Sequence, residues 1–396
     1  MSELTEARWS ETKSALLEGL KGNRKSVMDV TLENTRKYIN ESASTGATSA
    51  GNVATLNRVI LPVIRRVMPT VIANDLVGVQ PMTGPVGQIH TLRVRYAETN
   101  DATGTVNDVT AGTEALSPFK VAEAYSGDGT AGKAASTSAL EGSGGRKLSI
   151  QILKQTVEAK SRKLSANWTF EAAQDAQAQQ GIDIEAEIMA ALAQEITAEI
   201  DQEIIGSLYS LAGSASDTYN QSAVSGTATF VGDEHAALAV LINRAANRIA
   251  QRTRRGAGNY AVVSPTALTI LQSATTSAFA RTTEGTFEAP TNNKLVGTLN
   301  NAMKVYVNTY ASGTFDDVLV GYKGSSEADA PAFYCPYIPL MSSGVVLNPS
   351  TFEPTVSFLT RYGYVELSNT ASSLGNAADY LAKVDLSTNI GSLSFA

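Results

Sequence analysis

Few side chains in this sequence could do chemistry, and none stands in a setting that supports it. Gly127-Asp128-Gly129-Thr130-Ala131-Gly132 has the G-x-G-x-x-G spacing of a loop that cradles a dinucleotide pyrophosphate. Such a loop needs a buried strand before it and a helix after it, so that helical N–H groups meet the phosphates. The following residues, KAASTSALEGSGG, carry no apolar helical face, so a flexible loop is expected. Asp316-Asp317 offers two carboxylates for metal or acid–base work, but neighbours along a strand point to opposite faces. A solvated turn ahead of a strand is the expectation there. His90 and His235, the two histidines, could each act as a general base, yet neither has a nucleophile and an orienting partner. The lone cysteine, Cys335, lies in the apolar run AFYCPY and reads as a buried small hydrophobe. A single Cys excludes an intrachain disulfide and a Cys-based zinc site. No cofactor, metal or catalytic constellation is expected, and the chain reads as a non-enzyme.

The cationic side chains point to contact rather than catalysis. Arg252, Arg254 and Arg255 cluster ahead of Gly256, where they could meet phosphate, complement a helix C-terminus, or bridge to acids of another subunit. The last reading is favoured because the 396-residue chain is acidic, with 31 Lys+Arg against 38 Asp+Glu. Only 17% of residues are charged, below the usual share of about 25%, a first hint that its surface is spent on partners. A net charge of −7 argues against a nucleic-acid-binding surface. No stretch approaches the roughly 18 apolar residues of a membrane span, and MSELTEARWSETK is no signal peptide, so a cytoplasmic protein is expected.

The elements that would position these groups are legible in the apolar periodicity. Residues 1–55 read as an arm outside the core, with Leu16, Leu17 and Leu20 on a short helical patch and a mixed-charge helix over 29–39. The run SASTGATSAG at 42–51 reads as a flexible joint. Val59, Ile60, Val63, Ile64 and Val67 give a helical run that Pro69 stops. The stretch QIHTLRVRY at 88–96 alternates, setting Arg93 and Arg95 opposite Ile89, Leu92, Val94 and Tyr96 taken together as the bulky positions. Residues 98–147 are too poor in large apolar side chains to fill a core. Strand-like alternation resumes over 150–170, studded with Lys154, Lys160, Arg162 and Lys163, so the two strands read as legs of a projecting hairpin.

The clearest element covers 182–212. Ile184, Ile188, Leu192, Ile196, Ile200, Ile204 and Leu208 recur every fourth residue, a spine whose stripe drifts about 40° per step around the helix. Seven acids, including Glu195, Glu199 and Glu203, sit on it without a Lys or Arg between Lys163 and Arg244. Basic partners are expected elsewhere in the fold or on another subunit. An amphipathic helix follows over 233–252, then short strands at 260–263, 305–307, 318–322 and 333–337, a short helix at 266–273, and a last strand at 356–365. The class is mixed α+β.

Several blocks in this frame resemble the major capsid proteins of T4-like tailed bacteriophages. They are Arg65-Arg66-Val67-Met68-Pro69, Gly78-Val79-Gln80-Pro81-Met82, Gly84-Pro85-Val86-Gly87-Gln88 and Val157-Glu158-Ala159-Lys160-Ser161-Arg162-Lys163-Leu164. Ala173-Gln174-Asp175, RRGAGNY at 254–260, Gly321-Tyr322-Lys323-Gly324, Tyr334-Cys335-Pro336-Tyr337 and Thr360-Arg361-Tyr362-Gly363 follow in order. The resemblance implies an HK97-type capsid fold: an N-terminal arm at 1–55, a peripheral domain beginning at 56–85, and an extended E-loop with a small insertion at 86–165. The peripheral spine helix would fill 166–224, an axial domain 225–350, and a return to the peripheral domain 351–396.

The function implied is a virion shell protein, assembled in the host cytoplasm into hexamers of an icosahedral head around double-stranded DNA. Vertex, portal, scaffold and decoration proteins are the implied partners, without sequence-specific DNA binding and without a membrane. Arg93, Arg95, Lys160, Arg162 and Lys163 are expected to face acids of an adjacent subunit, with Glu195, Glu199 and Glu203 as candidates. Charge reversal at Arg162 and Lys163 should then block assembly without unfolding the chain. The family's maturation protease cuts after Glu, and Ile39-Asn40-Glu41 fits loosely, but no cut at Glu41 is expected. The rivals are an encapsulin-type nanocompartment and, behind it, a soluble α+β enzyme.

Overall fold

The computed structural model describes residues 22–44, 72–100, 134–180, 183–220, 231–274, 279–281, 294–311, 317–368 and 376–386, apart from a few single positions, with parts of 1–21 and 101–133. The helical run expected from Val59 to Val67 and most of the glycine-rich motif after Gly127 lie outside the described residues.

In chain order, helix α1 covers Asn23–Ser44 and a single turn covers Ala73–Leu76 before strand β1, Gly78–Val79. Strands β2 (Val86–Tyr96), β3 (Leu148–Glu158) and β4 (Lys160–Asn167) follow, then helices α2 (Phe170–Gln180) and α3 (Ile184–Leu211). After β5 (Asp217–Thr218) come α4 (Val231–Thr253), β6 (Tyr260–Val263), α5 (Pro265–Ser273), β7 (Phe279–Arg281), β8 (Lys294–Leu299) and β9 (Met303–Val307). The chain ends on β10 (Val318–Gly321), β11 (Ala332–Ser342), β12 (Val346–Leu347), β13 (Pro354–Glu366) and β14 (Leu381–Asp385).

These strands make three sheets. β2 and β3 pair along their full length, Val86 with Glu158 through to Tyr96 with Leu148, which is the hairpin that the alternation predicts. The first large sheet runs β1-β11-β13-β12, with β4 added alongside β13. The second runs β5-β14-β10-β6-β9-β8-β7. Its inner strands β6 and β10 are buried at every residue, the pattern of a sheet covered on both faces. Tyr260, Val262, Tyr306 and Leu319 face the core shared with the spine, while Ala261, Val263, Val305 and Val320 face α4 and α5.

The spine α3 is a 28-residue helix, about 42 Å long. Asp183 caps it, accepting from the Glu185 amide at 3.1 Å, and Glu185 and Glu187 sit in the first turn, where the helix dipole favours acids. Its buried stripe includes Leu192, Ile196, Ile200, Ile204, Ile205 and Leu208, while Ile184 and Ile188 are only half-buried. Several side-chain bonds tie it to its surroundings. Asp201 accepts from the Ile72 amide at 2.9 Å, Gln202 donates to Asn308 Oδ1 at 2.8 Å, and the Tyr209 hydroxyl donates to the Asp317 carbonyl.

Three expectations are corrected. The N-terminal segment is no free arm: Leu16, Leu17, Val27, Met28 and Leu32 belong to the main core. Helix α1 begins earlier and ends later than the 29–39 pattern suggests, and Asn34 Nδ2 bonds the carbonyls of Met82 at 2.7 Å and Tyr337 at 3.1 Å. Apolar residues spaced at four, as at Met28 and Leu32, are enough to bury one face, although the helix is polar on average. The hairpin also ends at Glu158, because the chain leaves it at Ala159 and pairs β4 with β13 instead, Lys160 opposite Tyr362 and Asn167 opposite Thr355. Lys160, Arg162 and Lys163 are therefore on the first sheet and not on a hairpin leg.

The expected boundary at 350/351 also differs, since β11 already lies in the first sheet and β14 returns to the second. The crossing is the segment between β10 and β11. There Glu327 accepts from the Val79 amide at 2.9 Å, and Lys323 Nζ reaches both Glu327 and the Asn74 carbonyl. Gly78 is fixed by this approach, because a Cβ there would stand 2.4 Å from the Glu327 carbonyl oxygen.

Asp201 makes the fold sensitive to pH. It is 4% exposed, and burial pushes its pKa up to about 7, with the Ile72 amide pulling the other way. Between pH about 4 and about 7 the folded chain holds a proton that the unfolded chain has lost, so this group's contribution falls as pH rises through that window. Asp201→Asn should therefore melt higher than the wild-type chain at pH 8, by on the order of 3 kcal/mol, and show no such gain at pH 4.5. Thermal melts of both proteins across pH 4–9 check the sign; a gain independent of pH counts against it.

Candidate assembly interface

The groups singled out for chemistry do not converge. His90 is exposed on β2, while His235 is buried on α4 with Nδ1 bonded to the Ser273 hydroxyl. Burial pushes the Cys335 thiol up to about 11, away from reactivity. The expectation of a solvated turn at the acid pair is corrected for Asp317. It is 9% exposed and pairs with Lys383 at 2.9 Å, and Lys383 also lies over the Tyr209 ring. Alternation along β10 and β14 sets these two side chains across the strand pair, a contact that adjacent-residue reasoning cannot see. Among the described residues no three His, Cys, Asp or Glu side chains gather as metal ligands, and no helix is long and apolar enough to cross a membrane.

The cations fall into two groups. Arg162 does meet the acidic spine, but the spine of its own chain. Nη1 bonds Glu199 at 2.7 Å, Nη2 bonds Glu203 at 2.5 Å, and Nε donates to the Tyr362 hydroxyl. Tyr362 in turn donates to Glu203, so one guanidinium ties β4, β13 and α3 together. Burial works against the Glu203 carboxylate, but Tyr362 and Arg162 outweigh it and hold the pKa below the ordinary carboxylate value. For Arg162 burial is likewise outweighed, by Glu203 and Tyr362, and its pKa is raised. The adjacent-subunit pairing expected for Arg162, Glu199 and Glu203 is thus corrected: β4 packs under α3, and the inward phase of the strand that buries Leu164 and Ala166 also turns Arg162 to the helix.

Arg255 is likewise satisfied within the chain, bonded to Asp329 of the crossing segment at 2.5 Å. Arg252 reaches the Leu381 carbonyl at 3.5 Å. Sequence reasoning missed the pairing of Arg248 with Asp217 at 2.9 Å, with Arg244 beside it at 3.4 Å; the i, i+4 spacing of the two arginines was the available signal.

Lys160, Lys163 and Glu195 are exposed, and Arg254 is exposed with φ 51° just past the end of α4. Arg95 of β2 is half-buried without an ion pair among the described residues. On the opposite face of the hairpin, Tyr96 of β2 is half-buried against Tyr125, while the apolar side chains of β3 are exposed. Leu148, Ile150 and Ile152 are 56%, 68% and 66% exposed in a row along β3.

An exposed apolar strip on β3 and salt links between elements of one chain are thus the main features among the described residues. Residues 53–389 match the family described as major capsid protein Gp23. The chain belongs to that family. It is 29% identical to the major capsid protein of Vibrio phage KVP40 over 85% of this chain and 82% of that protein. It is 30% identical to the major capsid protein of Enterobacteria phage T6 over 82% of this chain and 81% of that one. Among solved structures it is similar to the capsid of Myoviridae phage XM1, at 11% identity and a TM-score of 0.42, over 78% of this chain and 89% of that one.

A Gp23-family chain is a structural protein of the tailed-phage head. The expected α+β HK97-type architecture is the one described: an extended hairpin, a long spine and two sheets, here with an N-terminal helix docked on the core.

Because Arg162 holds three elements of one chain, its charge reversal should not leave the subunit intact. Arg162→Glu sets a third acid against Glu199 and Glu203 and is expected to lower subunit stability by about 1–2 kcal/mol, the pair being partly screened by solvent. Lys163→Glu, exposed on the other face of β4, should change it by less than about 0.5 kcal/mol. Urea denaturation of unassembled subunits separates the two; equal stability of both variants contradicts the assignment.

Proposed function

We propose that copies of this chain assemble as hexameric capsomers of a closed icosahedral shell that encloses double-stranded DNA. The observation that carries this reading is the match to the major capsid family over 53–389, joined to a hairpin on which Leu148, Ile150 and Ile152 are exposed. Two-stranded hairpins are marginal in water by themselves, and exposed apolar patches mark sites of association. Burial between neighbours then drives assembly, and no side chain makes or breaks a bond.

In this reading the first sheet, the spine and α1 form the peripheral unit, and the seven-stranded sheet with α4 and α5 forms the axial unit. Arg93, Arg95, Lys160, Lys163, Glu195, Arg252 and Arg254 serve contacts between subunits, setting register more than affinity. A net charge of −7 suits an enclosure that must not grip DNA phosphates during filling and release. Assembly in the host cytoplasm, with vertex, portal, scaffold and decoration proteins as partners, completes the reading. Retention of the N-terminal segment is favoured by the helical backbone at Glu41, since a protease takes extended chain into its cleft.

The expressed chain should therefore sediment as large particles and appear as closed shells by negative-stain microscopy. Small cages holding other enzymes would favour the nanocompartment, and discrete small oligomers would favour neither shell.

A further inference from the structure

The stretch from Ile72 to Val79 takes bonds from the spine, from α1 and from both sides of the chain's crossing between its sheets. The Ile72 amide bonds Asp201 of the spine at 2.9 Å. In the single turn that follows, Asp75 pairs with Arg24 of α1 at 2.7 Å and accepts from the Tyr306 hydroxyl of β9. The Asn74 carbonyl accepts from Lys323 Nζ at 2.8 Å, and the Val79 amide donates to Glu327 at 2.9 Å. Gly78 and Val79 are themselves β1, paired with β11 of the first sheet. The two large sheets, the spine and the N-terminal helix all meet on this hub.

Apolar burial is non-directional, so the core that joins the spine to the second sheet does not by itself fix how the two sheets are turned. The spine adds two directional bonds toward the second sheet, Gln202 to Asn308 and Tyr209 to the Asp317 carbonyl, about 10 Å apart along one helix. Two points on one line leave rotation about that line free. Lys323 and Tyr306 supply the attachment off that line. The backbone of Lys323 continues β10 into the second sheet's frame: its amide donates to Asn259 Oδ1 at 3.0 Å and its carbonyl accepts from Asn259 Nδ2 at 2.5 Å. Its side chain, 12% exposed, then crosses to the turn and to Glu327.

We propose that Lys323 and Tyr306, through their bonds to the Asn74–Asp75 turn, are positioning residues that set the angle between the two sheets and with it the curvature of the shell. The inference rests on the shell reading and names the bonds inside one subunit that decide the size at which the shell closes. Identical contacts repeat throughout a symmetric assembly, so a change in the shape of one subunit recurs at every step and alters closure. Loss of either bond leaves the apolar core intact, since neither side chain's polar end contributes to it. The subunit then stays folded while its two sheets are free to turn about the spine.

Electron microscopy of particles from the full chain carrying Lys323→Met or Tyr306→Phe tests this. The first keeps the aliphatic stem and removes the ammonium; the second removes one hydroxyl and leaves Asp75 with Arg24. Each variant should fold by circular dichroism and give closed particles that have lost the uniform diameter of the wild-type shell. Arg248→Met, which breaks the pair with Asp217 inside the second-sheet unit, is the control. It should lower the melting temperature and keep the wild-type diameter. Uniform wild-type particles from one variant strike that residue from the assignment, and from both overturn the proposal. An equal loss of uniformity in Arg248→Met also overturns it, because any weakened bond would then suffice. If Lys323→Met does not fold, Tyr306→Phe decides alone. If the wild-type chain forms no shells, the shell reading fails and this inference with it, whereas uniform variant shells sink only the inference.

Discussion

Burial of one helical stripe is the constraint on which the rest of this molecule depends. Ile196, Ile200, Ile204 and Leu208 of the spine are each at most 2% exposed, packed between the first sheet and the shared face of the second. Each such side chain contributes on the order of 2 kcal/mol when removed from water. Position along the helix then decides what each polar neighbour can hold. Asp201 meets Ile72, Gln202 meets Asn308, Glu199 and Glu203 meet Arg162, and Tyr209 meets Asp317. Elements far apart in sequence are thereby set by a single rigid axis.

The electrostatics divide along the same line. Charges that face the spine or the crossing segment are used up inside the chain, as with Arg162, Arg255 and Lys323. Charges on outward faces, among them Lys163 and Glu195, are left to water or to neighbours. Exposed pairs contribute little to stability and more to orientation, so this division assigns folding to apolar burial and register to the outer charges.

The periodic elements were legible because their period survives packing. A four-residue apolar repeat made the spine plain, and strict alternation of QIHTLRVRY made β2 plain. What failed was whatever depends on a partner far along the chain. The sequence from Ile150 to Phe170 reads as strand-like throughout, with no Gly or Pro to break it, so nothing local reveals that pairing changes at Ala159 from β2 to β13. The role of Leu16, Leu17, Met28 and Leu32 was hidden because polar neighbours dilute the pattern, while burial needs only one face. Among the candidate contacts, five cations were set against the spine acids as a group, and of these Arg162 bonds Glu199 and Glu203 of its own chain. Its partner was misassigned to another subunit because strand β4 was read as part of a projecting hairpin.

The hairpin inverts the usual logic of an apolar surface. Its base is anchored, with Val157 and Ile89 packed on Met82, Phe333 and Cys335, so the first residues of the ribbon are held by the main fold. Its outer half holds Leu148, Ile150 and Ile152 toward water, where each exposed apolar side chain costs free energy that only contact recovers. A charged strip would make the free subunit more soluble and remove the drive to associate. A strip covered by its own chain would do the same. The eleven cross-strand pairs fix which side chains share a face, so the register that stabilises the hairpin also sets Leu148, Ile150 and Ile152 side by side toward water.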